Sequence, residues 1–284
     1  MGVTIAVIAM GEMGSGVAAR LVEQGARVRT SLEGRSAASA LRAKAAGVEI
    51  APDDAALVAG ADFVLSIVPP ARAGELAERL LAPIRDAGGR AVYVDCNAIA
   101  PQTVTAIAAP FQAAALAFVD AGIVGGPPVP SGYNPRIYAS GPQAPEFARL
   151  TGLGLDIPVL SDRIGDASAL KMAYAGTTKG AHAVMIAMML GAARAGVAQA
   201  FAAEMKSSQA GRLEAAVRQA PVVLRKACRW DGEMEEIAKF LLPETGGATL
   251  FHGAAELYRR LAEDVGAGPD SERLMLLKGF ESGS

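Results

Sequence analysis

The feature that most constrains the fold is a glycine-rich segment that directly follows the first apolar run. Residues 4–8 form a short apolar stretch, and residues 9–16 read AMGEMGSG before a helical pattern begins. A strand that turns through closely spaced glycines into a helix is the setting of a dinucleotide-binding loop, where helix N–H groups face phosphates. The segment therefore predicts a Rossmann-type domain at the N-terminus.

The first 160 residues alternate between short apolar runs and alanine-rich helical stretches. This alternation predicts an α/β domain, a parallel sheet whose two faces are covered by helices. The predicted strands are 4–8, 26–30, 63–68, 91–94, 117–121 and 136–139, with a last short strand ending near 157–160. The predicted helices between them are 17–24, 36–45, 74–81 and 103–111.

The rest of the chain has a helical pattern throughout. Ser161 and Asp162 can cap a proline-free helix over about 166–195, roughly 45 Å long at the usual rise per residue. We therefore predict a dinucleotide-binding Rossmann domain at 1–161, then an interdomain helix and an all-α C-terminal domain at 162–284. Further helices are predicted at 196–210, 213–226, 233–241 and 249–263, with breaks at Gly211, Pro221, Pro243 and Gly246-Gly247.

Composition excludes several classes of function. The 284 residues carry a formal net charge of −2 without a Lys/Arg cluster, so no nucleic-acid partner is expected. The longest charge-free apolar stretch, 180–193, is too short to cross a bilayer, so no membrane partner is expected. The start lacks a signal-peptide pattern, which predicts a cytoplasmic protein. Cys96 and Cys228 have neither metal-binding nor disulfide-framework spacing.

The glycine segment supplies the first candidate cofactor residues. Ala9 stands at the first glycine position of the fingerprint, Gly11 allows the backbone to approach a pyrophosphate, and Gly14 allows the helix to lie close to the strand. The helix N-terminus contributes N–H groups and the positive end of its dipole. The residues expected to contact the cofactor here are Met10, Gly11, Glu12 and Met13.

The end of the second predicted strand bears on the choice between NADP and NAD. An acidic residue there usually holds the ribose 2′-hydroxyl of NAD, whereas a 2′-phosphate needs cations and hydroxyl groups. Ser31, Arg35 and Ser36 can surround a 2′-phosphate, and a guanidinium can bind two of its oxygens. NADP is therefore predicted; if Glu33 faces the ribose instead, NAD is the expected cofactor.

Three later segments carry a resemblance to a known family. Residues 120–128 read DAGIVGGPP, residues 170–180 read LKMAYAGTTKG, and residues 229–237 read RWDGEMEEI. With the glycine loop, they resemble the β-hydroxyacid dehydrogenase superfamily, which includes 3-hydroxyisobutyrate and 6-phosphogluconate dehydrogenases, and most of all its branch with a DUF1932 C-terminal domain. The resemblance covers nearly the whole chain and implies an NAD(P)-dependent oxidoreductase that forms a homodimer or homotetramer.

The resemblance also implies a catalytic lysine. Lys171 matches the lysine of the superfamily on the interdomain helix and would act as general acid/base. Tyr174, Thr178 and His182 follow at offsets that return to the same helix face, and Tyr174 and Thr178 are candidate substrate contacts. Lys179 points about a quarter turn away and is a lesser candidate, with a structural salt bridge as the alternative.

Other site residues follow from the same resemblance. The Gly125-Gly126 turn would offer N–H groups to an acidic substituent of the substrate. Val68 and Pro69 match the loop that passes the nicotinamide and its ribose. Asn97 matches a residue that lies beside the nicotinamide ribose and the substrate. The superfamily serine before the two glycines is replaced here by Val124, and the asparagine four residues after the lysine is replaced by Ala175, which leaves the substrate open.

Three functions are therefore compared. The first is hydride transfer between NADP and a small-molecule hydroxy or carbonyl substrate, with Lys171 as acid/base. The second is imine reduction or reductive amination, although those enzymes usually carry Asp or Tyr at this position. The third is NADP binding without turnover, as a sensor, because a Rossmann domain alone does not establish chemistry.

Overall fold

The computed structural model describes residues 2–129, 132–268 and 270–281. It divides into two compact units, Met1–Met172 and Ala173–Ser284. The first is an α/β unit and the second is helical, as the sequence predicts. Among the described residues, no helix is long and apolar enough to cross a membrane, and no group of His, Cys, Asp or Glu could hold a metal ion.

Within the described residues, the centre of the first unit is a single sheet of eight strands. The strands are β1 (Thr4–Ile8), β2 (Arg27–Ser31), β3 (Glu49–Ala51), β4 (Phe63–Ser66), β5 (Val92–Asp95), β6 (Phe118–Val124), β7 (Arg136–Ser140) and β8 (Val159–Ser161). Their order is β3-β2-β1-β4-β5-β6-β7-β8. The carboxyl ends of β1, β4 and β5 therefore lie side by side, as a nucleotide-binding sheet requires.

The sheet departs from the predicted all-parallel arrangement at one pair of strands. β7 pairs antiparallel to β6, with Gly122 opposite Tyr138. The sequence between the two strands is too short to hold the helical crossover that a parallel pair needs. β3 was not predicted, because an edge strand of three residues with an exposed Glu49 lacks the apolar run that marks the buried strands.

Helices cover both faces of this sheet. They are α1 (Glu12–Glu23), α2 (Ala37–Ala45), α3 (Asp54–Val58), α4 (Ala73–Asp86), α5 (Pro101–Ala113) and α6 (Ala144–Phe147), followed by α7 (Asp166–Ala175). Two apolar clusters result, one containing Val7 and Leu21 and the other Ile8 and Leu80. Successive strand residues thus point into opposite clusters, which explains the continuous apolar runs of the sequence.

The stretch predicted as one helix over 166–195 forms three helical segments. α7 is followed by a π-helical turn (Gly176–Gly180) and by α8 (Ala181–Arg194). The hydroxyls of Thr177 and Thr178 both donate to the Tyr174 carbonyl, a local competition that disturbs regular α-helical bonding. The two units divide inside α7, whereas the sequence boundary at 161/162 precedes this helix.

The second unit continues with α9 (Ala198–Ser208), α10 (Ala210–Leu241), α11 (Thr245–Ala267) and α12 (Glu272–Glu281). The breaks predicted at Gly211 and Pro221 are wrong, because both residues lie inside α10. Pro221 is exposed, and buried Ala220 and Val223 beside it continue the apolar face, so packing overcomes a local cost of about 3 kcal/mol.

The break predicted at Gly246-Gly247 is also wrong. Both glycines lie in the first turn of α11, where backbone N–H groups have no partner within the helix. The Glu244 carboxylate accepts a hydrogen bond from the Gly246 N–H at 2.9 Å and caps this turn. The break at Pro243 is confirmed, since α10 ends at Leu241.

Candidate functional site

The glycine loop leads directly into the first turn of α1. Gly11 is the N-cap of α1, and no side chain caps this helix. A Cβ added at Gly14 would lie 1.9 Å from the Ala9 carbonyl oxygen, so only glycine lets α1 begin so close to β1. A Cβ at Gly11 would meet nothing within 4 Å, which leaves space for a ligand. Uncapped N–H groups beside open space suit the pyrophosphate of a dinucleotide.

The neighbours of Gly11 take different positions. Met10 is buried, Glu12 is exposed on the first turn of α1, and Met13 is half-buried against the core of the unit. The Met10 carbonyl accepts a hydrogen bond at 2.8 Å from the Arg42 Nε on α2. Arg42 thus holds the loop backbone and brings a positive charge to it. Sequence reasoning missed it, because nothing in the local pattern shows which cation reaches the loop.

Three arginines surround the end of β2. Burial, together with the positive charges of Arg79 and Arg72, lowers the pKa of Arg35. Arg72 pairs with Glu75 and Arg79 pairs with Asp54, whereas the Arg35 guanidinium has no ion pair among the residues that the structure describes. An unpaired guanidinium beside two other cations is a position that attracts an anion.

The hydroxyl groups predicted for this region differ in exposure. Ser31 is buried at the end of β2 and accepts a long hydrogen bond from the Glu33 N–H, 3.4 Å away. Ser36 is the exposed N-cap of α2, and its Oγ accepts from the Ser39 N–H at 3.3 Å. Glu33 itself is exposed. The charges that act on Arg35 come from Arg72 and Arg79, on elements that the sequence pattern did not connect to this region.

Asn97 links the ends of β4 and β5. Its Oδ1 accepts from the Val68 N–H at 2.7 Å, and its Nδ2 donates to the Ser66 hydroxyl at 2.8 Å. Its own N–H donates to the Asp95 carboxylate. Burial raises the pKa of Asp95 to about 7. Asn97 therefore fixes the backbone that leads into Pro69.

Lys171 lies on α7 against the end of β6. Its Nζ donates a hydrogen bond to the Ile123 carbonyl at 2.7 Å. Burial lowers the pKa of Lys171 to about 8. No carboxylate pairs with it among the residues described, so nothing offsets the cost of burying the ammonium. Such a lysine can exchange a proton near neutral pH.

A buried clamp sets the start of the helix that carries Lys171. The Asp120 carboxylate accepts four hydrogen bonds of 2.7–3.0 Å, from the Ser140 hydroxyl, the Gly165 N–H, and the N–H and hydroxyl of Ser168. The Ser140 hydroxyl in turn accepts from the Ala167 N–H at 3.0 Å. A carboxylate at a helix N-terminus satisfies N–H groups that have no partner in the helix. β6 and β7 thereby fix the position of α7.

Glycines on and after β6 bring this helix and the turn together. A Cβ at Gly122 would lie 2.7 Å from the Ala167 carbonyl oxygen and 3.0 Å from the Lys171 Cβ, so glycine is required for the close approach. Gly125 has φ +129°, and a Cβ at Gly126 would meet nothing within 4 Å. Lys171 and the Gly125-Gly126 turn, predicted separately, thus occupy the same end of β6.

The remaining candidates lie in the helical unit. The Tyr174 side chain is 48% exposed, and the Thr178 hydroxyl donates to the Tyr174 and Ala175 carbonyls. Lys179 forms an ion pair with Glu233, and its ammonium lies 5.2 Å from the centre of the Trp230 ring. Lys179 therefore forms the salt bridge that the sequence left as its alternative role.

Aromatic side chains surround this ion pair. The Tyr258 hydroxyl donates to the Lys179 carbonyl at 2.5 Å, and the Trp230 and Tyr258 rings meet edge to face at 5.4 Å. His182 stacks on Trp230 at 6.4 Å, and burial lowers the pKa of its imidazole. These contacts hold the π-helical turn against α10 and α11 within the helical unit.

Comparisons with known proteins agree with this architecture. The NAD-binding domain of 6-phosphogluconate dehydrogenase matches residues 4–144, and the domain of unknown function DUF1932 matches residues 192–261. A conserved protein of unknown function, described as structurally similar to 3-hydroxyacid dehydrogenases, is 30% identical, with 92% of this chain and 97% of that chain covered and a TM-score of 0.65.

Two further solved structures share the fold. The 3-hydroxyisobutyrate dehydrogenase of Mycobacterium tuberculosis, solved with L-serine, is 20% identical over 98% of this chain and 99% of its own, with a TM-score of 0.69. An imine reductase of Myxococcus stipitatus, in complex with NADP+, is 17% identical over 99% of this chain and 100% of its own, with a TM-score of 0.56.

The chain combines an NAD-binding domain with a helical unit, and this combination places it in the class of NAD(P)-dependent oxidoreductases. Within it, the chain belongs to the β-hydroxyacid dehydrogenase superfamily, in the branch with a DUF1932 domain.

Proposed function

We propose that the chain uses NADP to interconvert a hydroxy and a carbonyl compound, with Lys171 as the general acid/base. The observation that supports this most is the state of Lys171. Its Nζ bonds to the Ile123 carbonyl at the carboxyl end of β6, and burial lowers its pKa to about 8. Ligands of open α/β sheets bind at the carboxyl ends of the strands, so this amine is near the expected position of the reacting atoms.

The proton chemistry follows from the donors of an ammonium group. Bound nicotinamide would supply or accept the hydride. Lys171 has three N–H donors in its charged form, and Ile123 accepts one of them, which leaves two for a substrate oxygen. In the reducing direction the ammonium donates a proton to the carbonyl oxygen. In the oxidising direction the neutral amine takes the hydroxyl proton.

The proposed position for an acidic substituent is the Gly125-Gly126 turn. Gly125 adopts positive φ and Gly126 has open space around its Cα, so an anion can approach the turn closely. Lys171 bonds to Ile123, two residues before the turn, so proton donor and anion subsite lie at one strand end. A substrate that carries both a carbonyl and an acidic group fits this pair.

The preference for NADP is supported by the cations at the end of β2. Arg35 lacks an ion pair among the described residues, and the charges of Arg79 and Arg72 add to its field, partly offset by the charge of Glu75. A 2′-phosphate carries the charge that this cluster attracts, whereas a 2′-hydroxyl does not. Ser31 ends β2 and Ser36 is the N-cap of α2, so both hydroxyl groups lie close to Arg35 in the chain.

An Arg35→Ala substitution tests this preference. We expect the Kd for NADPH, measured by fluorescence titration, to rise at least about tenfold, because a charge-assisted hydrogen bond pair is lost. The Kd for NADH is expected to stay unchanged. Arg85→Ala is the matched control, since Arg85 pairs with Asp86 on an exposed helix end. Equal effects of Arg35→Ala on both cofactors would refute the NADP assignment.

A substrate panel tests the reaction class. NADPH oxidation is followed with oxo acids, aldehydes, aryl ketones and cyclic imines, in the parent protein and in Lys171→Ala. Turnover of a carbonyl compound that falls about 100-fold or more in the variant, with the NADPH Kd unchanged, is the expected result. Turnover of imines alone would instead establish an imine reductase. Carbonyl turnover that survives in Lys171→Ala would remove Lys171 from the mechanism.

We also propose a homodimer or homotetramer. Large apolar side chains on the helical unit are exposed, among them Val184 and Met188 on α8 and Leu250 on α11. Exposed apolar side chains of this size are commonly covered by another subunit. Light scattering coupled to size-exclusion chromatography is expected to give a multiple of the 29.0 kDa chain mass. A mass of one chain at micromolar concentration would contradict the proposal.

A further inference from the structure

The hydroxyl of Tyr133 lies against the Gly125-Gly126 turn. A Cβ added at Gly125 would be 1.9 Å from the Tyr133 hydroxyl oxygen and 3.2 Å from the Pro135 Cβ. The phenol therefore occupies the space in which a side chain at position 125 would begin. Only glycine fits there, both for this reason and because of the positive φ.

This hydroxyl is available to a ligand. Within the described part of the chain it makes no hydrogen bond, and 52% of the Tyr133 surface is exposed. The residues around it are held in place, since the Tyr133 carbonyl accepts from the Val129 N–H at 3.0 Å and the Asn134 side chain donates to the Gly154 carbonyl at 2.9 Å. A phenol donor is thus positioned on the turn by its own backbone.

The other groups at this strand end are also donors. The N–H groups of Gly125 and Gly126 donate no hydrogen bond to any described residue. The Lys171 ammonium adds a further donor, because it bonds to the carbonyl of Ile123, two residues before the turn. Among the described residues none of these four donor groups pairs with a carboxylate, so together they form a site for an acceptor that carries negative charge.

We propose that Tyr133 determines substrate specificity by donating its hydroxyl hydrogen to a substrate carboxylate bound at the Gly125-Gly126 turn. The carboxylate on the turn and the reacting oxygen at Lys171 are as the proposed function has them, and Tyr133 is the added donor. This inference rests on the proposed function for the identity of the reaction, but the binding of a carboxylate at the turn can be measured without turnover.

The test uses malonate as the probe and malonamide as its uncharged counterpart. Both are titrated by calorimetry into the NADPH-saturated protein, its Tyr133→Phe variant and the matched control Tyr138→Phe on β7. We expect malonate binding to weaken about tenfold or more in Tyr133→Phe, because a hydrogen bond to a charged group is lost. The NADPH Kd and the melting temperature of Tyr133→Phe are expected to equal those of the parent. Tyr138→Phe should bind malonate as tightly as the parent does. Malonamide should show the same affinity for the parent and for both variants.

Two results would overturn the inference. One is equal malonate affinity in the parent and in Tyr133→Phe, and the other is a parent protein that binds no malonate. Failure of the proposed function has a different signature, since it appears in the separate NADPH titration and in the substrate panel. If NADPH does not bind, the malonate titration of the ligand-free protein still decides the role of Tyr133.

Discussion

Two lysines eight residues apart in sequence have opposite electrostatic surroundings. Lys171, in the first unit, is half-buried and bonds only to the neutral Ile123 carbonyl among the described residues. Lys179, in the helical unit, is half-buried as well but pairs with the buried carboxylate of Glu233 and lies over Trp230. Burial lowers the pKa of Lys171 to about 8, since no negative charge offsets the cost of the charged form.

The comparison shows that the partner, rather than burial alone, decides what a lysine can do. A buried ammonium with a carboxylate partner stays charged and contributes to structure. A buried ammonium with a neutral partner gives up its proton more easily and suits acid/base chemistry. Substitutions at the two positions and the pH dependence of turnover distinguish these two roles.

Removing the charge of Lys179 is expected to destabilise the helical unit. Lys179→Met leaves Glu233 buried without its cation, which should lower the free energy of unfolding by about 3 kcal/mol. Urea denaturation followed by circular dichroism measures the change. Lys206→Met on the exposed face of α9 is the matched control and should change stability by less than about 0.5 kcal/mol.

A double variant sharpens this result. Lys179→Met combined with Glu233→Leu removes both charges, so most of the lost stability should return. If the single variant at position 179 is as stable as the control, the ion pair is not structural, and the contrast with Lys171 fails.

The pH dependence of turnover reports the pKa of Lys171. Carbonyl reduction needs the ammonium form, so its rate should be constant below about pH 7 and fall about tenfold per pH unit above pH 8. Alcohol oxidation needs the amine form and should rise over the same range before levelling off. A break near pH 10.5, the usual lysine value, would show that burial does not lower the pKa as the geometry implies.

Sequence reasoning reached the parts of the molecule that depend on local patterns. The alternation of apolar runs and helices predicts the α/β unit, and the close glycines of residues 9–16 predict its first turn, because strand, turn and helix are adjacent in the chain. The prediction of a helical second unit is confirmed, and it too depended on patterns between residues that are adjacent in the chain. Pro221 and the antiparallel β7 were missed, since tertiary packing and connection length overrode local preference.

The parts of the candidate site that the sequence could not show involve distant pairs. Lys171 bonds to a carbonyl 48 positions earlier in the chain, and Arg42 reaches the loop at Met10 from another helix. The sequence shows Asp120 only as the first residue of the DAGIVGGPP segment, yet its carboxylate accepts hydrogen bonds from Ser168 on α7. Such contacts are set by the order of strands in the sheet, which composition and spacing do not determine.

Replacing Lys171 should have the opposite effect on stability from replacing Lys179. The folded pKa of about 8 lies below the usual 10.5, so the folded chain binds fewer protons than the unfolded chain between these values. The resulting penalty is fully present below pH 8 and disappears as the pH rises through 10.5. Lys171→Met removes it, and at pH 7 the free energy of unfolding should rise by about 1 kcal/mol after loss of the Ile123 hydrogen bond.

The measurement is urea denaturation of Lys171→Met and the parent protein at pH 7 and pH 10. The gain should shrink at pH 10, where the unfolded-state lysine also loses part of its charge. A loss of stability at pH 7 would mean that Lys171 is a structural lysine like Lys179, and its role as acid/base would lose its main support.

The smallest expected effect concerns the clamp that positions Lys171. Ser168→Ala removes the 2.7 Å hydrogen bond to the Asp120 Oδ1, while the backbone N–H of residue 168 can still donate to Oδ2. Loss of one bond to a carboxylate that retains three donors should lower stability by about 0.5–1 kcal/mol. A positioning role also predicts a decrease of a few fold in kcat with an unchanged KM for NADPH, because α7 then holds the Lys171 amine less firmly. Ser161→Ala, which loses a half-exposed bond to Asp166 on the same helix, is the control for stability without a link to Asp120. If both variants lower stability equally and neither changes kcat, the clamp holds the helix but does not position the lysine.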